Sequence, residues 1–191
     1  MNLIEEKAAL RRQLREKLAG MAEDDLKQAD RQIFFNILIS EEYDKAGLIF
    51  CFVGVGREID TRPVILDALA SGKRVAVPKC IGKGLMEAYE ITRLSDLETG
   101  FFGLLEPGPH CPLVPREQID FILVPCLSCD HQGYRLGQGG GYYDRYLARG
   151  PFRGAALCRE QMLCPDIPHA AHDIPVPMVI TDQRVYRTGP S

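Results

Sequence analysis

Two stretches of strand length carry apolar side chains at nearly every position: Gly47-Leu-Ile-Phe-Cys-Phe-Val53 and Ile119-Asp-Phe-Ile-Leu-Val-Pro125. A strand sends alternate residues to opposite faces, so a run with no polar alternation must be covered on both sides. Helical periods fill the intervals. Asn2-Leu-Ile-Glu5 has the spacing of a capping box, and the pattern after it predicts a helix to about Ala19, stopped by Gly20, with Leu3, Leu10, Leu14 and Leu18 on one face. A second amphipathic helix is expected from Glu23 to Ile39, with Leu26, Ala29, Ile33 and Ile37 inward, and a third begins at Thr61-Arg-Pro63 and ends at Gly72. Further strands are read at Arg74–Pro78, Leu85–Ile91, Gly154–Cys158 and Val176–Thr181, and the glycine- and proline-rich stretch Thr99–Pro115 reads as an ordered loop. The pattern predicts an α/β three-layer sandwich, a mostly parallel sheet covered by helices on both faces, with residues 1–191 forming a single domain. Ligands of such folds bind beyond the carboxyl ends of the strands.

The charge balance, 23 Lys+Arg against 26 Asp+Glu for a net −3, gives no global attraction for nucleic acid or an anionic membrane. No apolar run approaches the length of a membrane span. Seven cysteines, an odd and scattered set, read as reduced thiols in a cytoplasmic compartment. Cys126-Leu-Ser-Cys129 is the exception to weigh. Zinc needs about four ligands, and Cys158, Cys164, His169 and His172 lie in another segment without a second CxxC, so buried free thiols are the expectation.

Arg135-Leu-Gly-Gln-Gly-Gly-Gly-Tyr-Tyr-Asp144 carries the chemistry. Glycines ahead of a helix bring backbone N–H groups close to a ligand and suit phosphate. Between Arg135 and Arg153 four arginines face one acid, Asp144, in a chain that is acidic overall. No lysine follows the glycines as a Walker A loop requires, and the sixth place of a pattern begun at Gly137 or Gly139 is Tyr142 or Asp144, so no dinucleotide fingerprint fits either. Asp144 suits either a helix N-terminus or a Mg2+ ion beside a polyphosphate. Lys7 falls in the middle of the first helix's apolar face with Arg11 one turn on; the two either snorkel at the rim of the core or point together into an anionic site. Tyr142 and Tyr143 suit core packing and ring stacking equally.

Gly133-Tyr-Arg-Leu-Gly-Gln-Gly-Gly-Gly-Tyr-Tyr-Asp-Arg-Tyr-Leu147 resembles the RLGxGxGYYDRxL signature of the 5-formyltetrahydrofolate cyclo-ligase family. Lys7-x2-Leu-Arg11, Glu58-Ile-Asp-Thr61, Gly103-Leu-Leu-Glu-Pro107 and His172-Asp173 support the likeness. The resemblance implies an ATP- and Mg-dependent closure of 5-formyltetrahydrofolate to 5,10-methenyltetrahydrofolate, with ADP and phosphate released through a phosphorylated formyl group. It implies ATP against Lys7, Ala8, Ala9, Leu10 and Arg11 and against Arg135, Leu136, Gly137, Gln138, Gly139, Gly140, Gly141, Tyr142 and Tyr143, with Lys7 and Arg135 catalytic. The folate is expected at Val53, Glu58, Gln138, Gly139, Gly140, Gly141 and Tyr142, and Mg2+ at Asp144 and Asp173. The chain departs from the family's usual Gly-Val-Ala-Phe-Asp run at Cys126-Leu-Ser-Cys-Asp130, and Pro177 stands where an acid is often found.

Overall fold

The structure, a computed structural model, describes residues 2–188. Its helices are α1 (Leu3–Ala19), α2 (Glu23–Leu38), α3 (Glu41–Lys45), α4 (Arg62–Ala70) and α5 (Tyr142–Leu147). Its strands are β1 (Leu48–Cys51), β2 (Arg74–Gly82), β3 (Leu85–Ile91), β4 (Leu97–Thr99), β5 (Leu105–Pro107), β6 (Leu113–Val114), β7 (Phe121–Val124), β8 (Ser128–Cys129), β9 (Arg135–Leu136), β10 (Gly154–Leu157), β11 (Met178–Ile180) and β12 (Val185–Arg187). One sheet of eight strands runs β12-β11-β10-β7-β1-β2-β3-β6. Its five central strands, β11 to β2, are parallel, and the edges are antiparallel.

The unbroken apolar runs are explained by this arrangement. Ile49, Cys51, Phe121 and Leu123 enter one core with Ile33 and Ile37 of α2 and Val64, Ile65 and Ala68 of α4. Leu48, Phe50, Ile122 and Val124 enter another, with Leu14 of α1 and Tyr146 and Leu147 of α5. These are the three layers expected, with α2 and α4 on one face and α1 and α5 on the other. Asp120 accepts the N–H groups of Gly47 and Leu48 at 2.9 and 2.8 Å, tying the starts of β1 and β7 together.

The capping box forms as read: Asn2 accepts from the Glu5 amide, and the Glu5 carboxylate accepts from the Asn2 amide. Thr61 does not cap α4 with its side chain. Its hydroxyl donates to the Phe52 carbonyl at 2.5 Å and accepts from Gly54 N–H, so it closes the preceding loop instead. The supposed loop Thr99–Pro115 contains β5, which pairs with β4 at its start to make a small hairpin, and the edge strand β6.

From β1 the chain moves one way, to β2, and later the other way, to β7, β10 and β11. The crevice at such a reversal, between the carboxyl ends of β1 and β7, is where open α/β sheets bind ligands. No helix among the described residues is long and apolar enough to cross a membrane.

Candidate active site

Three segments leave the carboxyl ends of the central strands, and α1 closes over them. The hairpin of β8 and β9 follows β7. Asp130, fully buried in its turn, accepts the N–H groups of Gln132 and Tyr134, and its other oxygen accepts Ile167 N–H. Gly133 lets the turn press on the chain: a Cβ there would lie 2.1 Å from the Val176 carbonyl. The ordered turn delivers Arg135 into the interior, its side chain only 5% exposed. Arg135 donates to the Ile174 carbonyl at 2.5 Å and to Asp144 Oδ1 at 2.9 Å, and Asp144 Oδ1 also accepts the Ile174 N–H at 3.0 Å.

The neighbouring residue of Ile174 ties in the first helix. Lys7 Nζ lies 2.6 Å from Asp173 Oδ2, which also accepts Ala170 N–H at 2.7 Å. Burial alone would raise the Asp173 pKa, but the bonds from Lys7 and the Ala170 amide outweigh it and hold the carboxyl below its ordinary value. Lys7 and Arg135, remote in sequence, thus meet at adjacent residues, 173 and 174. Of the two uses open to Lys7, snorkelling to solvent is excluded by its partner and its 14% exposure.

Arg11 donates from Nε to the Gly137 carbonyl at 2.8 Å, and Arg15 to Gln138 Oε1 at 2.6 Å. Burial and the neighbouring Arg15 lower the Arg11 pKa, opposed by the negative charge of Asp173. Gly139 has φ +105° and Gly141 φ +69°, conformations that favour glycine. An added Cβ on Gly139 would sit 3.5 Å from the Arg11 guanidinium. Lys7, Arg11 and Arg15, at successive four-residue steps of α1, line the glycine loop with positive charge.

The loop after β1 forms the other wall. Glu58 Oε2 accepts Val55 N–H at 3.0 Å, and burial raises its pKa, opposed by that bond and aided by nearby Cys126. Tyr143 stacks toward Phe50 with ring centroids 6.4 Å apart, and burial, with Cys51 and Glu58 nearby, pushes its phenol pKa upward. Arg57 donates to the Leu18 and Met21 carbonyls at the end of α1. Arg159 grips the loop from beneath, donating to the Arg57 carbonyl at 3.0 Å and to both oxygens of Asp30 at 2.8 and 3.0 Å. Asp30 also accepts Asp60 N–H.

Among the expected site residues, Lys7, Arg11, Arg135, Leu136, Gly137, Gln138, Gly139, Gly140, Gly141, Tyr142, Tyr143, Asp144 and Asp173 belong to this one assembly, and Glu58 faces it across the crevice. Ala8 is exposed on α1, and Leu10 packs against the α1/α5 core. Val53 is buried in the α2/α4 core. Sequence reasoning missed Arg15, Arg57, Asp30 and Arg159. The Asp30 signal was present: it lies on the stripe of Ile33 and Ile37, a carboxylate on an apolar helix face that demands a buried partner.

The carboxylates suit a hard cation. Asp144 accepts its bonds on Oδ1 and Asp173 on Oδ2; among the described residues no hydrogen bond is made to the second oxygen of either, and His172 Nε2 stands 4.0 Å from Asp173 Oδ1. Mg2+ commonly uses one or two carboxylates and keeps several waters. His172 is 80% exposed, and the His169 ring stacks on Tyr134 with centroids 3.5 Å apart, so the two imidazoles do not form a joint ligand set.

The model of the 5-formyltetrahydrofolate cyclo-ligase family matches residues 3–182. The chain belongs to this family. Among its cyclo-ligase relatives, the 5-formyltetrahydrofolate cyclo-ligase of Mycolicibacterium smegmatis is 35% identical over 145 residues, 71% of this chain and 74% of that one. The mouse 5-formyltetrahydrofolate cyclo-ligase is 26% identical over 97% of this chain and 95% of its own. The structure of Aquifex aeolicus 5,10-methenyltetrahydrofolate synthetase superposes with a TM-score of 0.86 at 29% identity, covering 97% of this chain and 95% of that one. Membership makes the chain one of a ligase family, and the Arg135–Leu147 segment meets α1 through Gly137 and Gln138.

Proposed function

We propose that this protein closes 5-formyltetrahydrofolate to 5,10-methenyltetrahydrofolate at the expense of ATP. The observation that carries the reading is the meeting of Lys7–Asp173 and Arg135–Asp144 at consecutive residues beside the glycine loop, at the sheet's switch point.

A formyl group on a ring nitrogen is an amide, and its oxygen leaves poorly. Transfer of the γ-phosphoryl group to that oxygen releases ADP and gives a phosphorylated imidate. The neighbouring anilinic nitrogen, which lies outside the pterin ring, then attacks the formyl carbon and gives up its proton, and phosphate departs with the oxygen. Phosphoryl transfer asks for alignment and charge neutralisation more than covalent help. Lys7, Arg11, Arg15 and Arg135 offer the cationic groups, and the amides of Gly139, Gly140 and Gly141 offer donors. Asp144 and Asp173 would hold Mg2+, which supplies neutralisation of phosphate charge when bound. Glu58 orients the reduced pterin by accepting N–H bonds, and its raised pKa fits a group kept from water until substrate arrives. Tyr143, at the seam of the two cores, supplies a ring against which the pterin packs.

Absorbance of the methenyl product, followed with 5-formyltetrahydrofolate, ATP and Mg2+, tests the reading. Growth that requires ATP, and that Asp144→Asn and Arg135→Ala largely abolish, supports it. Full activity in both variants overturns the site, and no product from folded wild-type protein overturns the reaction.

A further inference from the structure

Cys126 and Cys129 were expected to lack further ligands because Cys158 lies 29 positions farther along. The parallel pairing of β7 with β10 removes that separation: Ala156 pairs with Val124, so Cys126 and Cys158, each two residues on, leave adjacent strand ends on the same side. Cys129 returns to them through the β8 strand. The sulfur atoms of Cys126, Cys129 and Cys158 all lie within 4.8 Å of one another.

We propose that Cys126, Cys129 and Cys158 form a three-thiolate binding site for one thiophilic divalent cation of the zinc class, separate from the oxygen site at Asp144 and Asp173. The geometry allows it with small movement. For three atoms no more than 4.8 Å apart, some point lies within about 2.8 Å of all of them, roughly 0.5 Å beyond a Zn–S bond of about 2.3 Å. Side-chain rotation of that size leaves the backbone in place. The backbone is moreover held: Cys129 C=O accepts Cys164 N–H at 3.0 Å, and Cys158 N–H donates to the Ile180 carbonyl at 3.1 Å.

Ligand chemistry sets which ion enters. Thiolates are soft donors and select zinc over Mg2+, which prefers oxygen. Cys129 and Cys158 are almost fully buried and Cys126 is half-buried, and three protein ligands leave a fourth coordination position to water or another ligand. That is the coordination of an open zinc site rather than a closed structural one. Each thiol that ligates gives up its proton to solvent, so binding one ion releases up to three protons and weakens as pH falls. The resulting unit bears one net negative charge, and Arg135 lies close enough to influence Cys126.

The test uses the full chain, reduced and stripped of metal, titrated with Zn2+ against a chromogenic chelator in the presence of excess Mg2+. One equivalent should bind, and Cys129→Ala or Cys158→Ala should weaken it by at least about tenfold, while Cys80→Ser and Cys164→Ser leave it unchanged. Substitution by Co2+ should give a sulfur-to-metal charge-transfer band that the Cys158→Ala variant lacks. Because buried variants can unfold, a second readout uses wild type alone: Zn2+ should slow alkylation of Cys126, mapped by mass spectrometry, at least tenfold. Binding no tighter than in the triple alanine variant, or alkylation of Cys126 indifferent to Zn2+, overturns the proposal. Neither readout measures cyclisation, so this outcome and that of the proposed reaction are independent.

Discussion

Replacement of Asp30 by Asn tests whether the wall opposite the glycine loop is held by a buried ion pair. Asp30 meets Arg159 through two bonds of 2.8 and 3.0 Å, with side chains 14% and 5% exposed. Exposed pairs contribute at most about 1 kcal/mol, whereas removing one partner of a buried pair costs about 3–5 kcal/mol because the other charge is stranded. Asn keeps one carbonyl oxygen for Arg159 or for the Asp60 amide but loses the charge, which places the expected loss near the lower end, about 3 kcal/mol. With a urea m-value of about 2 kcal/mol/M, the unfolding midpoint read by circular dichroism falls by about 1.5 M. Arg159 also holds the Arg57 carbonyl, next to Glu58, so the KM for the folate rises while kcat changes little. Asp30→Asn combined with Arg159→Met recovers much of the stability without recovering KM, since with the guanidinium gone no charge is left stranded. A loss below about 1 kcal/mol would refute the reasoning, because it would mean that water screens the pair as at a surface.

Three further outcomes follow from the site. Arg135→Lys cannot serve Ile174 and Asp144 together, and the loss of about 2 kcal/mol lowers kcat/KM roughly thirtyfold, read by the absorbance assay. Glu58 has its pKa raised by burial, so between its ordinary and raised values the folded state holds the extra proton and stability declines as pH rises; Glu58→Gln flattens that limb of a pH–stability series and is no less stable at neutral pH, yet binds the folate more weakly. Asp173 has a lowered pKa, so its contribution is full above the unfolded value of about 3.9 and is lost as pH falls through the folded one; Lys7→Met diminishes this acid-limb slope in urea midpoints.

What could be read from the sequence was what local physics decides. The capping box at Asn2 and Glu5 involves neighbours on one turn, and the two-faced apolar runs needed only the strand period. The glycine loop was legible because Gly139 and Gly141 occupy conformations that other residues resist. Failures arose where a distant partner decided the outcome. Thr61 has the chemistry of a cap, but the Phe52 carbonyl claims its hydroxyl. The five residues of α3 are too few to show a period, although Ser40 caps them. Arg15 drew no reading from the sequence, because its partner, Gln138, is 123 residues away. The cysteines at 126 and 158 become neighbours only through strand pairing, which periodicity does not encode.

The bond between Lys7 and Asp173 spans 166 positions, and Arg11 reaches Gly137 across 126. During synthesis α1 therefore emerges long before anything it must grasp. Its cations stay unmatched on the ribosome until Gly137, Gln138 and Asp173 have been made, and no fragment ending before Asp173 can complete the cradle. Completion of the site therefore waits on long-range closure rather than on the helix that supplies the charge.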